Sequence, residues 1–266
     1  MIGGLPIDYA QARLQARYGE RADEPLWNRI RSARSLAALL EIARGSTLRH
    51  WVAAIAADAS ADEVELSLRA SFRGRVAEVA RWMPEAWQPA VLWTAHLVDL
   101  PAIVHLARGE APPPWMRSDP SLQAYADPDA EARRAALRAG PLGAIVRALE
   151  RESADGAGKR PPTGGALARR MWVEAWRQRW PQQTGDDGAA LEAMMRLIEA
   201  HLVGLLERSA DDAWALRRAL AGELGTRFRR HALRPPVAFA YLAVVAFDLE
   251  RLRAQLVSRA AFGAVP

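Results

Sequence analysis

The residues here whose types could do chemistry are histidines, paired carboxylates, a glycine-rich basic tract and tryptophans set among arginines. The five histidines, at 50, 96, 105, 201 and 231, form no HExxH and no i, i+4 pair. Zinc held on one helix needs that spacing, since two imidazoles must reach one ion from the same face. The acidic pairs Asp186-Asp187 and Asp211-Asp212 are followed by Gly-Ala-Ala and Ala-Trp-Ala. Neither has the third acid that a helical metal site for a diphosphate would need, so each reads as a helix N-terminus, where carboxylates complement the dipole. The tract GAGKR at 156–160 has Ser153 where a phosphate loop wants glycine and Arg160 where it wants Ser or Thr, and reads as a linker. With no GxSxG elbow, no glycine-rich dinucleotide turn and no local Ser-His pairing, the expectation is no catalytic residue, no metal and no cofactor.

Trp172, Trp176 and Trp180 recur every four residues, with Arg169 and Arg170 just before them and Arg177 and Arg179 among them. Such a pattern can stack and neutralise a nucleic acid, but it also describes a core stripe beside a solvated face, which is the preferred reading. A second basic cluster, Arg227, Arg229, Arg230, His231 and Arg234, falls at the end of a helical pattern. Cations suit the dipole there, and they could also grip an acidic partner. Arg227, Arg229, Arg230 and Arg234 are therefore the candidate partner-binding residues.

These groups must be positioned by helices. Alanine makes up about a fifth of the 266 residues, and Ala, Leu, Arg and Glu all lose little rotamer freedom in a helix. No run of β-branched and aromatic residues alternates as a half-buried strand would, so an all-α fold without a sheet is expected. The net charge of +5 comes from arginine, Lys159 being the only lysine, and permits acidic partners, membrane surfaces or nucleic acid without demanding any. Zero cysteines exclude disulfides and thiolate metal sites and suit a reducing compartment. The longest apolar run, Val237 to Phe247, is too short to span a bilayer, and the mixed charges of the first twenty residues do not form a signal peptide.

Asp8, Ser35, Ser46 and Ser60 stand ahead of apolar-periodic segments and predict four helix starts. Ser60 with Glu63 forms a capping-box pattern, predicting a helix from about Ala61 to Trp82. After Pro84 a second helix is expected to run to Arg108, where Gly109 and Pro112 to Pro114 stop it. Residues 110–128 read as a proline-rich loop and 153–165 as a linker. What remains is a single helical domain of three blocks, about 1–110, 129–180 and 186–262, with long helices starting near Ala61, Asp186 and Val237. One internal likeness links the outer blocks: WTAHLVDLPAIVHLARG from Trp93 and YLAVVAFDLERLRAQLVSR from Tyr241 both place an aromatic residue before Asp-Leu and an aliphatic one four residues after the Asp.

These segments resemble one family of V-type and A-type ATPase subunits, the one designated C in the archaeal and bacterial enzymes and d in the eukaryotic ones. YAQARLQARYGE from Tyr9 with SLAALLEIARGSTLRHWV from Ser35 is similar to that family's first helices. ADEVELSLRASFRGRVAEVARWMP, with Glu65 where the family usually has a glutamate, leads into its repeat-ending helix, and PPVAFAYLAVVAFDLERLRAQLVSR resembles the helix closing its last repeat. The likeness spans about 130 residues, and the chain departs from the family at Ala102, Arg251 and Val245.

The resemblance implies a funnel-like body of three pseudo-repeats with Asp99, Arg108, Asp248 and Arg253 as structural residues of the repeat helices. It also implies a non-catalytic role: coupling the central stalk of a rotary ATPase to its membrane rotor ring, in the cytoplasm and peripheral to the membrane, with those subunits as partners and no nucleic acid or small-molecule substrate. An unrelated helical interaction scaffold would lack the rotor partners. A nucleic-acid-binding module would lose affinity steeply with salt, and a helical enzyme would need a pocket of perturbed titratable groups around His96, Asp99 or the acidic pairs.

Overall fold

A computed structural model describes residues 6–155, 164–206 and 210–263. Among them there is no strand, and the fold is all-α. The helices are, in order, α1 Ile7–Gly19, α2 Glu24–Ser32, α3 Leu36–Arg44, α4 Arg49–Val52, α5 Ala61–Trp82, α6 Gln88–Trp93 and α7 Leu100–Ala107. They continue as α8 Ala130–Ala139, α9 Gly143–Asp155, α10 Gly164–Arg177, α11 Asp186–Leu206, α12 Ala210–Arg230 and α13 Pro236–Phe262. The tract 156–163, with GAGKR and Lys159, lies outside the described residues, as do the side chains of Asp211 and Asp212.

Contacts divide the chain into two compact units, Met1–Leu92 with Trp180–Pro266, and Trp93–Arg179. The larger unit is thus drawn from both ends of the sequence and the smaller one from the intervening residues, a division other than three consecutive blocks. Residues 110–128 lie inside the smaller unit. Met116 and Leu122, both fully buried, anchor that stretch in the smaller unit through two 3-10 turns, Pro114–Ser118 and Gln123–Tyr125.

In the larger unit α13 packs against α5, α12, α1, α11 and α3. Its first three turns, Pro236 to Val245, are buried almost all round, and Leu249, Leu252 and Leu256 continue as a single stripe. The amphipathic face of α5 answers with Val64, Leu68, Phe72, Val76 and Val79, at helical spacing. Each such side chain contributes about 1.5–3 kcal/mol on burial. The start of α5 is fixed as expected: Ser60 Oγ accepts from the Glu63 amide at 3.3 Å, and the Glu63 carboxylate accepts from the Ser60 amide at 2.7 Å.

Other helix limits differ from expectation. Asp8 sits in the first turn of α1 without capping it. Ser46 lies in the turn between α3 and α4, its hydroxyl donating to the Ala43 carbonyl at 2.8 Å and accepting from the Leu48 amide at 3.2 Å, and it is Leu48 that precedes α4. Asp23, absent from the expected helix starts, caps α2 by accepting from the Leu26 amide at 2.9 Å. The helix expected from Pro84 to Arg108 is broken into α6, a 3-10 turn Thr94–Leu97 and α7. Pro101 has no amide to give to the Leu97 carbonyl and its ring clashes with that carbonyl, so a continuous helix cannot pass it.

The smaller unit packs α7, α8, α9 and α10 together. Trp172 and Trp176 are buried and stack on each other at 5.9 Å, and Trp172 stacks on Trp93 at 6.4 Å. The Trp93 indole donates to the Trp172 carbonyl at 3.1 Å, and the Arg179 guanidinium covers the Trp93 ring at 3.6 Å. Two of the three spaced tryptophans are therefore core, their ring faces committed, whereas Trp180 lies beyond the end of α10.

Candidate functional site

A cleft of about 610 Å³ opens in the larger unit. It is framed by the end of α1 and by α2, α12 and α13. Its lining holds six arginines, Arg21, Arg31, Arg217, Arg218, Arg229 and Arg251, against three carboxylates, Glu24, Asp248 and Glu250. Each carboxylate has one arginine partner. Arg21 donates to both oxygens of Asp248, at 2.6 and 3.0 Å. Arg251 donates to both oxygens of Glu24, at 2.8 and 3.1 Å, and Arg217 meets Glu250 at 3.0 Å.

Electrostatics follow this pairing. The hydrogen bonds from Arg251 hold the Glu24 carboxyl below the usual carboxylate range against the opposing effect of burial, helped by the charges of Arg251, Arg31 and Arg218. Burial disfavours the charge on Arg21, yet the Asp248 hydrogen bond and charge outweigh it and raise its pKa. The rings beneath are covered. Tyr18 stacks on Phe228 at 4.3 Å with planes 7° apart and carries Arg21 at 5.1 Å, while the buried Trp27 carries Arg251 at 4.5 Å.

Three arginines are left over. Among the described residues Arg31 bonds the neutral Asn28 amide oxygen, and Arg229 bonds Thr226 Oγ1 at 3.3 Å. Among the described residues neither these two nor Arg218 has a carboxylate partner. On α12 the face Arg218, Ala221, Gly222, Gly225, Arg229 lines the cleft, the two arginines lying about 16 Å apart along the axis at 1.5 Å per residue. Gly222 opens into free space, whereas a side chain at Gly225 would collide with the Tyr18 hydroxyl at 2.6 Å.

The basic end of α12 is only partly the grip expected. Arg229 and Arg230 are exposed, Arg229 on the cleft wall, and the half-buried Arg227 has an Nε without a hydrogen-bond partner. Arg234 is instead committed to Asp187, its Nη2 2.7 Å and its Nε 2.8 Å from the carboxylate, tying the turn before α13 to the start of α11. Within that turn Leu233 is 57% exposed at φ 60°, the left-handed region where a glycine would ordinarily sit.

The remaining candidate residues have dissimilar settings. Asp99 is buried just before α7, its side chain 3.8 Å from His96 Nδ1, whereas Asp248 is half-buried in the middle of α13 and paired. Arg108 is exposed at the end of α7, and Arg253 pairs with Glu65 of α5. His96, Asp99, Ser121 and Tyr125 do share a cavity of about 260 Å³ in the smaller unit, with Ile103, Leu122, Leu137 and Leu142 opposite. Burial, then the Asp99 charge, pushes the Tyr125 hydroxyl up. At 3.8 Å, His96 and Asp99 are not hydrogen-bonded.

Sequence reading found Arg229 but not Arg21, Arg31, Arg218 or Arg251, which are brought together only by α2 and α12 meeting α13. Among the described residues no group of three His, Asp or Glu could hold a metal ion, and no single helix is long and apolar enough to cross a membrane. No family model, no curated protein and no solved structure matches this chain.

Proposed function

We propose that this chain is a non-catalytic helical adaptor whose α12 end grips an acidic surface of a protein partner. The observation that carries the reading is the exposed pair Arg229 and Arg230, with no carboxylate partner among the described residues, beside the projecting Leu233. Charges on a rim steer association, and an exposed apolar residue among them supplies contact area. The family likeness of the first helices, α5 and α13 supplies the candidate partner. On this proposal the chain couples the central stalk of a V-type rotary ATPase to its membrane rotor ring, and sits peripherally on the cytoplasmic face of the membrane. The threefold repeat is no part of the support, because Asp99 and Asp248 occupy different local settings.

The test is co-sedimentation of the full chain with rotor-containing membranes, and capture of the rotor proteins, before and after replacing Arg227, Arg229 and Arg230 with Ala. Capture by the parent chain, lost at least tenfold in a triple variant of unchanged helicity, supports the proposal. Membranes that retain the triple variant as well as the parent, or no rotor protein captured by either, would overturn it.

A further inference from the structure

We infer that the cleft between α2, α12 and α13 binds a compact polyphosphate group, either a free phosphate chain or a phosphorylated headgroup, recognised by charge and not through a base. Arg31, Arg218 and Arg229 reach it with no carboxylate of their own among the described residues, and Arg21 and Arg251 are held in place on its wall by Asp248 and Glu24. Each paired guanidinium has five N–H donors and spends two on its carboxylate, so further donors remain for a ligand. At about 610 Å³ the cleft falls within the range of small-ligand sites.

Charge density selects phosphate over carboxylate. Three surplus positive charges need three separate carboxylates, but only two phosphate groups, each of which presents several oxygens to the planar guanidinium fork. A nucleobase has no platform there: Tyr18 has Phe228 on one face and Arg21 over its ring, and Trp27 is buried beneath Arg251. The opening at Gly222, with nothing near where a Cβ would stand, leaves the α12 wall bare between Arg218 and Arg229. This inference does not depend on the partner being a rotor, and its test leaves the α12 end unchanged.

Tripolyphosphate titrated calorimetrically into the full chain is the direct probe. Binding that weakens with salt is expected, and the Arg31→Ala, Arg218→Ala double variant should lose about a hundredfold, from two charge-assisted contacts. Gly222→Glu should abolish binding while α12 becomes no less stable, because it sets a carboxylate among the guanidiniums and replaces a poor helix former. Sedimentation with phosphatidylcholine vesicles, with and without cardiolipin, identifies the source. Cardiolipin-dependent pelleting that is lost in the same variants assigns a headgroup, and tripolyphosphate binding alone assigns a free anion. Failure of both probes overturns the inference. So would polyglutamate binding where tripolyphosphate does not, ATP binding far tighter than tripolyphosphate, or variants that bind as well as the parent.

Discussion

Arg21 and Asp248 meet through two parallel hydrogen bonds of 2.6 and 3.0 Å across 227 residues of sequence. The pair ties the turn after α1 to the middle of α13, and Arg251 with Glu24 repeats the tie one helical turn along, at the same sequence separation. Together they set how the first helices lie on α13, and so the width of the cleft.

Asp248→Asn should therefore destabilise the chain by about 1–3 kcal/mol, the range for charge-assisted hydrogen bonds that are partly shielded from solvent. A double-mutant cycle with Arg21→Gln, followed by urea unfolding, should return a coupling of about 1 kcal/mol or more. Additive effects of the two substitutions would show that the pair contributes nothing beyond its parts.

Arg259 carries a different load. Its buried guanidinium donates to the carbonyls of Ala33 at 2.7 Å and Arg31 at 2.9 Å, at the end of α2, and to the Gln255 carbonyl at 3.0 Å within α13. Helix ends leave carbonyls without intrahelical partners, and here a cation satisfies them. Arg259→Met should cost about 2–4 kcal/mol by thermal or urea unfolding, because buried carbonyls lose their donors. Arg259→Lys should recover only part, since an ammonium cannot span the fork.

What was legible in the sequence was local. Ser60 and Glu63 fix α5, Asp186 and the Pro235-Pro236 step place α11 and α13, and the apolar run of α13 reads as core. Pro101 was equally visible, and its clash with the Leu97 carbonyl could have broken the expected helix. The site was not legible, because Arg21, Arg251 and Arg259 are ordinary arginines until distant segments bring Asp248, Glu24 and the end of α2 to them. Of the expected grip, Arg234 left the set because Asp187 claims it, which cap-pattern reading could not see.

Three histidines give stability a dependence on pH. Burial is the first cause in each case, and neighbouring arginines add to it: Arg75 and Arg17 at His50, Arg217 at His201, and Arg234, Arg227 and Arg230 at His231. All three are lowered, His50 to about 4. The folded state thus resists protonation that the unfolded chain accepts near 6.5. Stability should be full above that pH and fall as the pH drops through 6 toward 4, seen as a declining urea midpoint. His50 is exposed over more than a third of its surface, which screens its share. His50→Gln should flatten the decline only slightly, and a midpoint that rises on acidification would contradict the scheme.

Leu233 sets stability against binding. At φ 60° its Cβ crowds the backbone, an arrangement that costs a non-glycine residue of order 1 kcal/mol, and its amide is held by the Gln11 side-chain oxygen at 3.1 Å. Its side chain is 57% exposed and so returns little by burial. Leu233→Gly relieves the strain but widens the unfolded ensemble, and the net expected change is a stabilisation of up to about 1 kcal/mol. If the leucine is the apolar knob of the α12 grip, the same variant should capture partner several-fold less well while melting at an equal or higher temperature. Leu233→Asn, which tolerates the left-handed region and removes the apolar tip, should behave alike. Unfolding midpoints and membrane co-sedimentation measured on both variants decide the matter: undiminished capture would remove Leu233 from the interface, and a clear fall in stability would mean that its backbone is held by more than the turn.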